Sequence, residues 1–142
     1  MPTRNASATW EGGIMKGKGS FRGESGAIEA PYNFSSRFEE GVKGTNPEEL
    51  IAAAHAACFS MALSGQLERN GATPTRIETK AACTVEKSGD GFAITGIRLT
   101  TRVKATGIDA AKFQEVARGA KEGCPVSKAL SAVKIELDAA LE

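Results

Sequence analysis

An α+β fold with largely antiparallel sheet is predicted for this chain from three observations. Residues 1 to 40 hold short alternating stretches punctuated by glycine. A capped run of apolar and small residues follows. A long alternating hairpin then leads into two further helices and a last strand. No Rossmann-like succession of strand, helix and strand is evident, nor is any internal repeat. The 142 residues fit one domain spanning 1–142. With 41% hydrophobic and 25% charged residues, the composition is that of a chain able to build a core.

In chain order, Ala6–Thr9 and Gly19–Arg22 alternate between the breaks at Gly12-Gly13, Gly17 and Gly26, which predicts two or three antiparallel strands. Asn46-Pro47-Glu48-Glu49 is a helix start. Asn46 can cap, Pro47 fits the first helical position, and the spacing of Glu49 completes a capping box. The helix is expected to run to about Asn70 and stop at Gly71. Its middle, LIAAAHAACFSMALSG, is apolar around nearly the whole circumference, so it is read as a buried helix. A helix of that kind needs covering on every side, and a chain of this length has little sheet for the task; dimerisation around the helix answers the need.

Ile77, Thr79, Ala81, Cys83 and Val85 alternate with more polar neighbours, and Ser88-Gly89-Asp90-Gly91 turns the chain into 92–104, giving a hairpin with one buried face. A second helix is expected from near Asp109 to Gly123. Ala111, Val116 and Ala120 face inward, and Ile108 and Phe113 form a hydrophobic staple around the Asp109 cap. Pro125 opens a short helix over 126–130, leaving Cys124 at its N-cap beside backbone N–H groups with no helical acceptor. The last strand covers 133–139.

Charge excludes several functions. The 18 Lys and Arg are balanced by 17 Asp and Glu and interspersed with them, so no basic field is available for nucleic acid or an anionic membrane. The segment MPTRNASATWEGG lacks the apolar stretch of a signal peptide, and no uninterrupted apolar run reaches the length of a membrane span. A cytoplasmic protein is expected, and in that compartment three cysteines do not make a structural disulfide framework.

Each cysteine is weighed separately. Cys58 lies deep in the apolar helix, where packing as a small hydrophobe competes with chemistry. Reactivity requires a thiolate, and burial alone works against one, so a cation is needed that the helix does not supply. Arg37 in SSRFEEG is the candidate cation, although an arginine there could equally be a solvated one. A buried arginine needs a carboxylate; with Glu49 committed to the cap, Glu48 remains. Cys124 in GCPVSKAL sits at a helix start, which lowers a thiol pKa, against the alternative of a simple turn residue. Cys83 is read as core. His55, one turn before Cys58, could form a Cys–His pair but has no third group to orient it. The cysteines and His55 offer no spacing that marks a metal site, and no phosphate-binding loop is present, so neither metal nor cofactor is expected.

RFEEGVKGTNPEELIAAAHAACFSMALS, followed some sixty residues later by AKEGCPVSKAL, closely resembles the osmotically inducible protein C (OsmC/Ohr) family, in its OsmC subfamily. TWEGG, GFAIT and GIDA also match family positions, so the resemblance covers nearly the full length. It implies antiparallel sheets wrapped around long central helices in an intertwined homodimer, with active sites at the subunit interface. It also implies cysteine-based reduction of organic hydroperoxides to alcohols, with Cys58 peroxidatic, Cys124 resolving, and Arg37 and Glu48 as the arginine–glutamate pair. The reaction would pass through a Cys58 sulfenic acid and a Cys58–Cys124 disulfide, reopened by a dithiol, either a lipoyl-bearing protein or a small thiol. Two alternatives are a redox sensor or binding module working without turnover, and a hydrolase built on Cys58 and His55.

Overall fold

The computed structural model describes residues 1–142, which fall into two compact units, Met1–Leu50 and Ile51–Glu142. In the first unit, β1 (Ala6–Glu11), β2 (Lys18–Gly23) and β3 (Glu29–Tyr32) form an antiparallel sheet in sequence order. Trp10 and Tyr32 both lie opposite Gly19, and their rings meet with centroids 5.5 Å apart. A Cβ at Gly19 would come within 2.6 Å of the Trp10 ring and 2.7 Å of the Tyr32 ring, so only glycine lets the two rings close over β2. Every residue of β1 is exposed within the single chain.

A one-turn helix that the sequence pattern does not predict, α1 (Phe34–Phe38), follows β3. Asn33 caps it, accepting from the Ser36 N–H at 2.8 Å, while the Ser36 hydroxyl accepts from the Asn33 N–H at 3.0 Å. The α2 helix (Pro47–Arg69) begins as expected. The Asn46 Oδ1 accepts the Glu49 N–H at 2.8 Å, and the chain leaves the helix through Gly71 at φ 81°. The carboxylate of Glu49 departs from the expectation. It accepts from the Thr45 hydroxyl at 2.9 Å, so the anticipated capping box is not the bond made.

The second unit is built on a long hairpin, β4 (Thr73–Ser88) and β5 (Gly91–Thr106), with β5 central and β6 (Lys134–Leu141) on its other edge. Strand β6 runs parallel to β5, a single parallel pair in sheets that are otherwise antiparallel as expected. A parallel pair needs a crossover, and α3 (Ala110–Gly123) with α4 (Pro125–Ala129) supplies it. The core gathers Phe59, Leu63 and Leu67 of α2, Ile97, Leu99 and Val103 of β5, and Phe113, Val116, Ala117 and Ala120 of α3. Thr101 is also buried. Its hydroxyl lies 3.0 Å from that of Thr79, which accepts from Ser60 of α2 at 2.7 Å, so a hydroxyl chain links helix to sheet.

Two expectations about buried faces change. Asp109 does cap α3, accepting the Lys112 N–H at 2.7 Å, and Ile108 and Phe113 both pack on the core, but Ala111 is exposed. It precedes Phe113 by two residues, roughly 200° around the helix, so both cannot face inward. On α2 beyond Glu48, only the stripe His55, Phe59, Leu63 and Leu67 is buried, while Ala53, Ala54 and Ala57 are exposed and Met61 is 81% exposed. By length and composition α2 could also cross a membrane, a property it shares with core helices.

Candidate active site

Two separate constellations hold the residues singled out from the sequence. In the first unit, the Asn46 side chain does two things: its oxygen caps α2, and its Nδ2 donates to the Ser36 carbonyl at 2.9 Å. The Ser36 hydroxyl donates to the Thr45 carbonyl at 3.1 Å. These bonds fix the end of α1 against the start of α2 and bring Arg37 to Glu48. The Arg37 Nη2 donates to Glu48 Oε1 at 2.9 Å and its Nε at 3.2 Å. Glu48 is buried, while the Arg37 side chain is 37% exposed and stacks on Phe38, its guanidinium carbon 4.9 Å from the ring centre. The open side of the guanidinium borders a cleft of about 270 Å³ lined mainly by Trp10, Ile14, Tyr32, Phe34 and Phe38.

In the second unit, α2 presents Cys58 and the α3–α4 junction presents Cys124. The backbone of Cys124 is held from both sides: its N–H donates to the Ala120 carbonyl at 3.0 Å, and its carbonyl accepts from the Lys128 N–H at 3.0 Å. Pro125 at the first position of α4 ends one helix and starts the next. The sulfur of Cys124 thereby comes 2.9 Å from that of Cys58. A disulfide measures about 2.05 Å, so the pair is two thiols sharing a hydrogen within easy reach of oxidation. Cys58 is partly exposed; Cys124 is completely buried. Cys83 lies half-buried against the core on β4.

The electrostatics of the pair are uneven. Burial pushes the Cys58 thiol up, as does its bond with Cys124, and the Val126 N–H offsets only part of this. Burial also acts upward on Cys124, but hydrogen bonds from Cys58, from the N–H and hydroxyl of Ser127 and from the Val126 N–H outweigh it, and the thiol is held below its ordinary value. Within one chain, then, Cys124 is the more readily ionised of the two.

His55 makes no hydrogen bond to Cys58. It is fully buried, with Nε2 2.7 Å from the Ser127 hydroxyl, and burial lowers its pKa. Sequence reasoning did not find Ser127. The only trace it leaves is a hydroxyl three residues after Cys124 in a short helix, and its bond to a residue 72 positions away has no sequence signature. No group of three or more His, Cys, Asp or Glu side chains is arranged to hold a metal ion.

A reachable thiol set against a buried and activated one, on an α+β scaffold, defines a thiol-redox protein. The profile of the OsmC-like protein family matches residues 39–138, and the chain belongs to that family. It is 54% identical over 136 residues to the peroxiredoxin OsmC of Escherichia coli strain K12, covering 95% of this chain and 94% of that one. It is also 36% identical over 123 residues to the organic hydroperoxide resistance protein OhrB of Bacillus subtilis, covering 84% and 88%. The crystal structure of OhrB superposes with a TM-score of 0.75 at 30% identity over 96% of this chain and 98% of that one. The expected α+β class and family are thus borne out.

Proposed function

We propose that this chain is a thiol-dependent peroxidase that reduces organic hydroperoxides to alcohols, with Cys58 as the attacking sulfur and Cys124 as the resolving one. The observation that carries this reading is the 2.9 Å approach of two thiols of which only Cys58 can be reached from outside. The Cys58 thiolate attacks the terminal oxygen of ROOH; the O–O bond breaks, the alkoxide takes a proton and leaves as alcohol, and Cys58 becomes a sulfenic acid. The Cys124 thiolate then attacks the Cys58 sulfur, expelling hydroxide, which takes up a proton as water, and leaving a disulfide. An external dithiol, a lipoyl-bearing protein or a small thiol, reopens it by exchange, which suits a reducing compartment such as the cytoplasm.

Arg37 serves Cys58 from a second copy of the chain. Glu48 and Cys58 are ten residues apart on α2, about 15 Å of helical rise. A homodimer packed about α2 supplies that arginine, and it also covers the exposed Met61 face and the exposed β1. The aromatic cleft beside Arg37 receives the hydrocarbon end of the peroxide, which favours organic hydroperoxides over hydrogen peroxide.

The test is anaerobic reduction followed by one equivalent of cumene hydroperoxide. Wild type is expected to form the Cys58–Cys124 disulfide, Cys58→Ser to be inert, and Cys124→Ser to stop at a sulfenic acid that dimedone traps. A folded, reduced wild type that leaves the peroxide untouched refutes the assignment. A single oxidation that no dithiol can reverse points to a sensor instead.

A further inference from the structure

His55 and Ser127 take no part in the reaction proposed for the two sulfurs, yet both are buried and they meet each other at the start of α4, beside Cys124 in sequence. The His55 Nε2 lies 2.7 Å from the Ser127 Oγ, and Ser127 stands three residues after Cys124 in α4, where it helps hold the Cys124 thiol below its ordinary value. The His55 Nδ1 is buried with no hydrogen-bond partner. That orphan atom decides where the ring hydrogen sits. A hydrogen on Nδ1 would leave a buried donor unpaired, whereas a bare Nδ1 leaves only an unfilled acceptor, the more commonly tolerated of the two. The hydrogen is therefore on Nε2, which donates to the Ser127 oxygen. The single hydroxyl hydrogen of Ser127 is then free to point at sulfur.

We propose that His55 and Ser127 form a fixed donor chain, His55 Nε2–H to Ser127 Oγ–H to the Cys124 thiolate, that holds the resolving sulfur ionised and aimed at Cys58. The inference rests on the peroxidase reading for its role in turnover, and on the buried His55–Ser127 pair at the start of α4 for its effect on Cys124. His55 acts through Ser127 and is a positioning residue. It does not take the Cys124 proton, because an imidazolium here would carry a buried Nδ1–H with nothing to receive it. The lowering of the His55 pKa by burial agrees, since it keeps the ring neutral. In the resolving step the aligned Cys124 thiolate supplies the electron pair for the new S–S bond, the S–O bond of the Cys58 sulfenic acid breaks, and the departing hydroxide leaves as water after taking a proton from solvent.

The test separates the two levels. In reduced Cys58→Ser protein, the pH titration of thiolate ultraviolet absorbance is compared with that of the same protein carrying Ser127→Ala, His55→Asn or His55→Gln. Cys83 is common to all, so differences report Cys124. Ser127→Ala and His55→Asn, whose amide reaches only the Nδ1 position, are expected to raise the Cys124 midpoint by about one pH unit. His55→Gln, whose amide nitrogen falls near Nε2, is expected to preserve it. With Cys58 restored and cumene hydroperoxide added, the same two variants are expected to slow disulfide formation about tenfold at neutral pH, leave sulfenic acid formation unchanged, and move the pH profile of the second phase upward by the same interval. Equal midpoints in all four folded proteins overturn the donor chain, as does a Gln variant that behaves like the Asn one. Wild-type protein that ignores the peroxide would defeat the peroxidase reading while the titration still decides the chain.

Discussion

Replacing Glu48 by Gln tests the electrostatic part of the proposed mechanism with the smallest change of shape. The Arg37 guanidinium donates from Nη2 at 2.9 Å and from Nε at 3.2 Å, both to Glu48 Oε1. Bonds between charged groups contribute about 1.5–3 kcal/mol where water is excluded. Here the carboxylate is buried but the Arg37 side chain is 37% exposed, so solvent screening reduces the pair to roughly 1–2 kcal/mol. Gln retains one acceptor oxygen and loses the charge, so about 1 kcal/mol of the restraint on Arg37 disappears. If Arg37 must be held to stabilise the charge at Cys58, the first chemical step slows about five- to tenfold. Rapid mixing of reduced protein with cumene hydroperoxide, quenched by alkylation at intervals, measures loss of the Cys58 thiol. The disulfide-forming phase should keep its wild-type rate, since neither Glu48 nor Arg37 is among the groups that act on Cys124. A folded Glu48→Gln protein whose first phase stays within about twofold of wild type would refute the role given to the pair.

Three further outcomes are expected. Because burial lowers the His55 pKa, the unfolded chain binds more protons than the folded one as pH falls below the ordinary value of 6.5. Stability should therefore be fully present above that pH and decline below it, by up to about 1.4 kcal/mol per pH unit until the folded-state pKa is reached; His55→Gln should flatten that part of the urea-midpoint profile, and an unchanged slope would contradict a buried neutral ring. Phe113→Ala empties a fully buried position in the core, so its denaturation should show a loss of about 3–5 kcal/mol, and a loss under 1 kcal/mol would show that the site collapses or is not core. Met61→Glu places a charge on the exposed apolar face of α2; sedimentation should find wild type dimeric and the variant monomeric but folded, and a dimeric variant would place the interface elsewhere.

What was legible in the sequence was local. The Asn46 and Asp109 caps and the Pro125 start of α4 depend on residues within a turn of one another, and each appears where the spacing puts it. The junction position of Cys124 followed from its neighbours for the same reason. The α1 helix escaped because five residues carry no periodicity, although Asn33 and Ser36 have capping-box spacing. Alternation marked β6 as a strand but held no information on its direction, which the crossover through α3 and α4 decides. The covered side of α2 was hidden by its own uniformity: when nearly every residue is apolar or small, composition does not say which stripe meets the sheet. The His55–Ser127 bond joins two elements 72 residues apart and could be seen only in three dimensions.

The division of labour between the sulfurs follows from how the donors are distributed. Val126 and Ser127 offer N–H groups at the start of α4, and both reach Cys124, with the Ser127 hydroxyl added; Cys58 receives only the Val126 N–H. If that were all, the nucleophile would be Cys124, a sulfur that no peroxide can approach through the core. The pair shares one hydrogen across 2.9 Å, so a modest outside influence can move the charge from one sulfur to the other. In the proposed dimer, a guanidinium brought to Cys58 by a second copy would do this, placing the thiolate on the accessible sulfur and the hydrogen on the buried one. Once Cys58 has become a sulfenic acid it no longer competes for the charge, and the donors around Cys124 favour its ionisation just when the resolving attack requires it. On the proposed mechanism, assembly controls the first step and the α4 donors control the second. The two steps should respond to different substitutions: Met61→Glu or Glu48→Gln should slow sulfenic acid formation alone, and Ser127→Ala should slow disulfide formation alone. A single variant of this set that slowed both steps equally would mean that the two sulfurs titrate as one unseparated group.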